Sequence, residues 1–227
     1  MVGLALIVLA GAAVAATYTP LFAARDIQVR GAGELARVQV LDVARLDEDT
    51  NVLHLDVHGT ERRLEADPRI LAATVSTTLP DRIEISLVLR TPVGVVGSPG
   101  ELVGADGVVI APATGVADLP SLMSGPRPAV GDALVTAARA ADALGASLRR
   151  AVDAVVVTGE GEIAVRVAAG FTASFGPPTE LEAKAGSLAA LLTWIEDQGV
   201  TVTSADLTVP GSPTAMLAQN ERAVPVP

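Results

Sequence analysis

The chain has 227 residues, half of them hydrophobic, which is enough for one or two buried cores; aromatics make up only 2 %, so those cores are built from Val, Leu, Ile and Ala. A formal charge of −10 leaves no basic stripe to neutralise phosphates, which argues against a nucleic-acid partner and against adsorption to anionic lipid through a polybasic patch. Cysteine is absent, so disulfides, thiolate metal sites and cysteine nucleophiles are excluded, while the compartment stays open.

The first segment is apolar. Val2–Ala16 carries no charge, and the uncharged stretch continues through Tyr18, Pro20 and Phe22 to Ala24, with Arg25 the first charge. At about 1.5 Å per residue, such a helix covers roughly the ~30 Å hydrocarbon layer, with Tyr18 and Phe22 near the far interface. One reading is an uncleaved signal anchor over residues 1–24. The other is a cleaved signal peptide, for which Ala13-Val14-Ala15 offers a processing site. Both place the rest of the chain outside the cytoplasm.

Next, Asp26-Ile27-Gln28-Val29-Arg30 alternates polar and apolar, as a half-buried strand does. Gly31-Ala32-Gly33 turns the chain, and Leu35, Val38 and Leu41 recur at helical spacing. After an acidic turn at residues 47–49, Thr60 is the expected cap of a short helix ending before Asp67-Pro68. Residues 75–79 and 83–89 alternate on either side of Pro80-Asp81 and predict a β-hairpin. Residues 26–90 therefore form a β-α-α-β-β unit.

Thr91-Pro92 marks a boundary. Short strands are expected near 93–96, 101–104 and 107–111, then a Pro/Gly/Ser-rich loop over 112–128 and a helix over 132–148 with Leu134, Ala138, Ala141 and Leu148 on one face. Strands near 154–158, 162–167 and 171–175 form a meander. A second helix opens with Thr179 and Glu182 as a capping box, buries Leu181, Ala185, Leu188, Leu192 and Ile195, and stops at Gly199. A last strand over 203–209 meets Pro210-Gly211-Ser212-Pro213, and residues 218–227 are expected to be a disordered tail.

No catalytic constellation emerges. Gly31-x-Gly33-x-x-Ala36 lies between strand and helix, but the chain then runs into an acidic turn instead of the buried parallel strand a dinucleotide fold needs, so a plain glycine turn accounts for it. His54 and His58 have a zinc-like spacing only if helical, and the surrounding Val-Leu-His-Leu-Asp-Val run argues for an extended segment. A carboxylate pair for glycoside chemistry is conceivable, yet one Trp and one Tyr make a poor sugar platform, and Trp194 lies beside the buried face of its helix. No serine stands in a nucleophile elbow.

The order of parts resembles the FtsQ/DivIB family of cell division proteins, of an actinobacterial kind. The resemblance rests on IQVRG at 27–31, DPRI at 67–70, TLPDRIEISLVLRTPVGVV at 78–96, LVGADGVVI at 102–110, FTASFG at 171–176, Lys184 and ADLTVPGSP at 205–213. The chain departs from the family pattern at Thr77, Leu79, Leu89, Thr208 and Val209. The resemblance implies an α+β architecture: a transmembrane helix (1–24), a POTRA domain (25–91), and a β-domain (92–217) with a curved, mostly antiparallel sheet and two helices. It implies a non-enzymatic, single-pass membrane scaffold at the division septum, N-terminus cytoplasmic, without cofactor or metal. Expected partners are FtsB/FtsL-like coiled-coil proteins, an FtsK-like translocase and the septal peptidoglycan synthase complex. Thr203, Ala205, Asp206, Leu207, Thr208 and Val209 are the expected docking edge of the β-domain, and Ile27, Gln28, Val29 and Arg30 a second docking strand in the POTRA domain. The rival readings are a secreted or membrane-anchored cell-wall hydrolase or sugar-binding protein, and an outer-membrane assembly factor, which would need a β-barrel after its POTRA units.

Overall fold

The computed structural model of the protein describes residues 2–114, 118–218 and 223–225. They form two compact units, one ending at Arg90 and the other starting at Thr91.

The first unit opens with helix α1 (Val2–Ala16). It is shorter than the span expected over 1–24, because the hydroxyls of Thr17 and Thr19 donate to the carbonyls of Val14 and Ala16 at 2.7 and 2.8 Å. Those bonds close the last turn, and a 3-10 turn (Pro20–Phe22) redirects the chain. Among the described residues no helix is long and apolar enough to cross a membrane.

The three-stranded sheet has the order β1-β3-β2. β1 (Asp26–Arg30) runs parallel to β3 (Arg82–Leu89), and β2 (Ile70–Thr78) pairs antiparallel with β3. Alternation drives the packing: Ile27, Ile70, Val75, Ile83, Ile85 and Leu87 are buried with Val40, Ala44 and Leu64 from the helices. Gly31 follows β1 with φ +73°, and a Cβ there would lie 2.1 Å from the Leu87 carbonyl oxygen, so only glycine fits.

Both helices differ in detail from expectation. Helix α2 (Arg37–Ala44) buries Val40 and Ala44 and leaves Val38 77 % exposed. The helix starts after Leu35, so the Leu35-Val38-Leu41 spacing does not lie along one inward stripe. Helix α3 (Val57–Glu65) is capped by Asp56, whose Oδ1 accepts the Gly59 N–H at 2.9 Å. Thr60 is an interior residue, fully buried, with its hydroxyl on the Asp56 carbonyl.

The second unit is one large mixed sheet with helices. Its order is β14-β13-β12-β11-β10-β9-β7-β4-β5-β6. In chain order the strands are β4 (Pro92–Val96), β5 (Glu101–Gly104), β6 (Val109–Pro112), β7 (Ser121–Ser124), β8 (Arg127–Pro128), β9 (Val152–Val157), β10 (Ile163–Val167), β11 (Thr172–Gly176), β12 (Val202–Asp206), β13 (Thr214–Leu217) and β14 (Ala223–Pro225). β8 lies off the main path, against β7. The expected loop over 112–128 thus contains two strands, and β7 is central, parallel to both β4 and β9. Its burial is carried by Leu122 alone, 1 % exposed among Ser and Pro.

The expected helix over 132–148 is two helices, α4 (Asp132–Ala143) and α5 (Gly145–Arg149), broken where Gly145 takes φ +67°. Helix α6 (Leu181–Gln198) begins after Glu180 in the left-handed region, without a side-chain cap, so the Thr179/Glu182 box does not form. Gly199 ends it at φ +60°. Ala137, Ala141, Leu188 and Leu191 pack with Leu122, Val155, Val165 and Phe175 into one core, and Trp194 leans on its rim. Residues 219–222 and 226–227 of the expected tail lie outside the described residues, whereas Ala223–Pro225 pairs as β14.

Candidate protein-docking strands

Among the described residues no group of three His, Cys, Asp or Glu could hold a metal ion. His54 belongs to a junction instead. Its ring lies 4.4 Å from that of Tyr18, and its Nε2 is 2.9 Å from Thr17 Oγ1. Asn51 donates through Nδ2 to the Thr17 carbonyl at 2.7 Å, while its Oδ1 accepts the N–H groups of Leu53 and His54. The end of α1 is thereby fastened to the loop before α3. His58 pairs with Glu61 at 3.0 Å.

What the fold does present is sheet margin. A strand at the edge of a sheet has backbone donors and acceptors that a partner strand can satisfy. In the first unit β1 is one such edge, because β3 covers only one of its sides. Ile27 points into the core and its carbonyl accepts from Arg37 Nη2 at 2.6 Å. Gln28 and Val29 are half-buried, and Gln28 Nε2 reaches the Asp26 carboxylate at 3.1 Å. Arg30 lies 2.8 Å from Glu84, and Arg82 lies 2.7 Å from Asp26. Such exposed pairs fix side-chain direction more than they stabilise.

The opposite edge, β2, is different. Glu61 Oε1 accepts the Val75 N–H at 2.9 Å and Glu65 Oε1 accepts the Ala73 N–H at 3.1 Å. The bond from Val75 foremost, and that from His58 next, hold the Glu61 carboxyl below its ordinary value of 4.5.

In the second unit the expected docking edge needs correction. β12 lies inside the sheet, parallel to β11 on one side and antiparallel to β13 on the other. Ala205 is buried, and Leu207 is fully buried with its N–H donated to the Ser174 carbonyl at 2.8 Å. Asp206 Oδ1 accepts the Thr208 N–H at 2.9 Å, and its bonds to Thr208 keep its carboxyl below the ordinary 3.8. The Thr208 side chain packs so closely against Gly176 (φ +64°) that a Cβ there would lie 2.9 Å from its Cγ2. Of the expected set Thr203, Asp206 and Val209 are exposed, and the Thr203 hydroxyl donates to the Met216 carbonyl at 3.1 Å.

The margin has moved outward because the chain continues. Pro210-Gly211 is a hairpin turn, not a stop, and it folds β13 back onto β12. β13 in turn carries β14, only three residues long, with Pro225 opposite Thr214. Thr172, Ser174, Ser204, Asp206, Thr214 and Met216 line a shallow open groove across the exposed face of β11, β12 and β13. Sequence reading missed β13 because four residues between Pro213 and a polar tail carry little alternation. It missed Glu61 and Glu65 because nothing in a helix sequence tells which strand its carboxylates meet.

Comparison with known proteins matches residues 22–88 to the FtsQ-type POTRA domain. Over 187 residues the chain is 32 % identical to the cell division protein FtsQ of Mycobacterium tuberculosis (strain ATCC 25618 / H37Rv), covering 81 % of this chain and 59 % of that protein. The FtsQ of Mycobacterium bovis is equally similar, and that of Mycolicibacterium smegmatis is 29 % identical over 179 residues, 78 % of this chain and 54 % of that protein. The chain therefore spans less than two thirds of the length of these relatives.

Proposed function

The chain belongs to the FtsQ family of cell division proteins, and on that premise we propose that it acts as a bitopic membrane scaffold of the division machinery, working by strand pairing and without catalysis. Helix α1 is the membrane anchor in this reading. Its support is an uncharged segment whose described large side chains, Leu6, Ile7, Leu9 and Val14, are 60 to 71 % exposed, an arrangement that water penalises and lipid does not. The rest of the chain then lies on the outer side, at the septum.

The observation that carries the docking part is the margin at the end of the large sheet. β13 pairs with β12 on one side and with β14 on the other, so the outermost strand is the three-residue β14, closed by a proline. An extended segment of an FtsB/FtsL-like coiled-coil protein suits the outer side of β14, with the exposed Thr203, Asp206 and Val209 side chains further in on the same unit for selectivity. β1, with Gln28 and Arg30 outward, is the second margin, for an FtsK-like translocase. Through these contacts the scaffold links early division proteins to the septal peptidoglycan synthase complex.

The natural chain has no cysteine, so Met216→Cys introduces a single thiol on β13. In dividing cells a short bifunctional cross-linker should join it to an FtsB-like protein. Cross-links that instead arise only from a thiol placed on β6 would overturn the assignment. Retention of the full-length chain in the membrane fraction tests the anchor separately.

A further inference from the structure

Both edges of the small sheet meet side chains from the helices, but differently: Arg37 donates to one β1 carbonyl, whereas two carboxylates of α3 accept from donors of β2. Four residues of helix rise about 6.0 Å, and two residues of strand advance about 6.7 Å. Glu61 and Glu65, one helical turn apart, therefore match two successive outward donors of β2, those of Val75 and Ala73. The helix runs antiparallel to the strand, so the first carboxylate meets the later donor. The second oxygen of Glu61 is held by His58 Nδ1 at 3.0 Å, which fixes the carboxylate in place.

Past an irregularity between Ile70 and Ala72, β2 itself carries little to deter a partner. Ile70–Thr78 reads ILAATVSTT, with no charge and no proline along nine residues. Its Thr74 and Ser76 side chains are exposed, and Leu71 is 49 % exposed. Long uncharged edges of this type pair readily with other strands unless the fold protects them. Here the protection is lent by the neighbouring helix. An incoming strand must bring its carbonyl oxygens to the donors at Ala73 and Val75, where carboxylate oxygens already sit, and oxygen would meet oxygen.

We propose that Glu61 and Glu65 are edge guards that hold β2 shut, and that withdrawing them turns β2 into a docking edge for a second copy of this chain. A second copy is the occupant the strand fits best. Antiparallel pairing about a two-fold axis sets β2 against β2, and an uncharged strand meets no like charge in its twin. The inference is independent of the scaffold reading, which uses β1 and the β14 end of the large sheet.

The test uses the full chain in detergent micelles. The wild type is expected to stay monomeric by sedimentation, with the Ala73 and Val75 amides protected from hydrogen exchange. In Glu61→Ala/Glu65→Ala, exchange at those two amides should rise at least about tenfold at low protein concentration. The same variant should dimerise as concentration rises, while Glu61→Gln/Glu65→Gln, which keeps an acceptor at each place, stays monomeric. Adding Thr74→Arg to the alanine pair puts like charges across the self-paired strand and should restore the monomer. A folded alanine pair that stays monomeric with unchanged exchange overturns the proposal, as does association that survives Thr74→Arg or recruits a different protein. If the alanine pair loses its helical circular dichroism, Glu61→Ala alone decides the matter through exchange at Val75.

Discussion

Asn51 holds the Thr17 carbonyl across 34 residues of chain, through a 2.7 Å bond from its Nδ2. The same side chain caps the 3-10 turn that carries His54, and His54 stacks on Tyr18 with the ring planes 14° apart. One amide thus fastens the exit of α1 to the body of the first unit. Asn51→Ala should cost about 1–2 kcal/mol in that unit, as loss of a cap with an added tertiary bond does. Tyr18→Ala should cost less, about 0.5–1 kcal/mol, because the stack is largely exposed. Both should speed proteolysis between residues 17 and 25, and equal rates in wild type and variants would dismiss the junction.

Lys184 is the single lysine of the chain, and it is 1 % exposed. Its ammonium donates to the Pro177 carbonyl at 2.8 Å and ties the turn between β11 and α6 to the helix. Lys184→Met keeps the stem but strands that carbonyl, with an expected loss of about 1–3 kcal/mol in urea unfolding. An amine-reactive reagent should modify the native chain only at its N-terminus and reach Lys184 on unfolding.

Leu207 sits at the junction of β12 and the turn, fully buried. Leu207→Ala should lower the stability of the second unit by about 2–5 kcal/mol. Val209→Ala, at a residue 60 % exposed on the same segment, should leave stability within about 0.5 kcal/mol of wild type. A partner that reads this margin would separate the two, since Val209→Ala weakens capture without unfolding.

Acid stability follows from three carboxyls. Glu61 is held low by Val75 and His58, Asp67 by the side chain of Arg69, and Asp206 by Thr208. A carboxyl with a depressed folded value contributes stability that is complete above its unfolded value and is lost as pH falls through the folded one. The urea midpoint should therefore be flat above about pH 5 and decline below the ordinary values of 4.5 and 3.8. In Glu61→Gln the decline should start lower and be shallower in the first unit. An identical profile would remove Glu61 from the account.

The small sheet was legible because its strands alternate strictly: Ile83, Ile85 and Leu87 bury, and Glu84 and Ser86 do not. Gly199 was legible as a helix stop because the left-handed C-cap conformation favours glycine. The placement of β7 was not, since one buried leucine among Ser and Pro carries no period. The capping box at Thr179 failed because Glu180 takes a left-handed conformation that moves the helix start past it. The expected docking strand over 203–209 is not a sheet margin: a hairpin turn hidden in Pro-Gly-Ser-Pro adds β13 beyond it, and sheet position is a property of pairing, not of sequence order.

β7 is bonded on one side to β4, about 25 residues earlier, and on the other to β9, about 30 residues later. The β4–β6 and β9–β11 hairpins on either side of it assemble from neighbours, but neither half of the large sheet can join the other until this keystone is seated. During synthesis the β4–β6 array waits with a raw side for β7, and β7 in turn keeps a raw side until β9, which ends at Val157, has left the ribosome. The growing polypeptide is thus most exposed to stray association in that interval, well before its last strand exists.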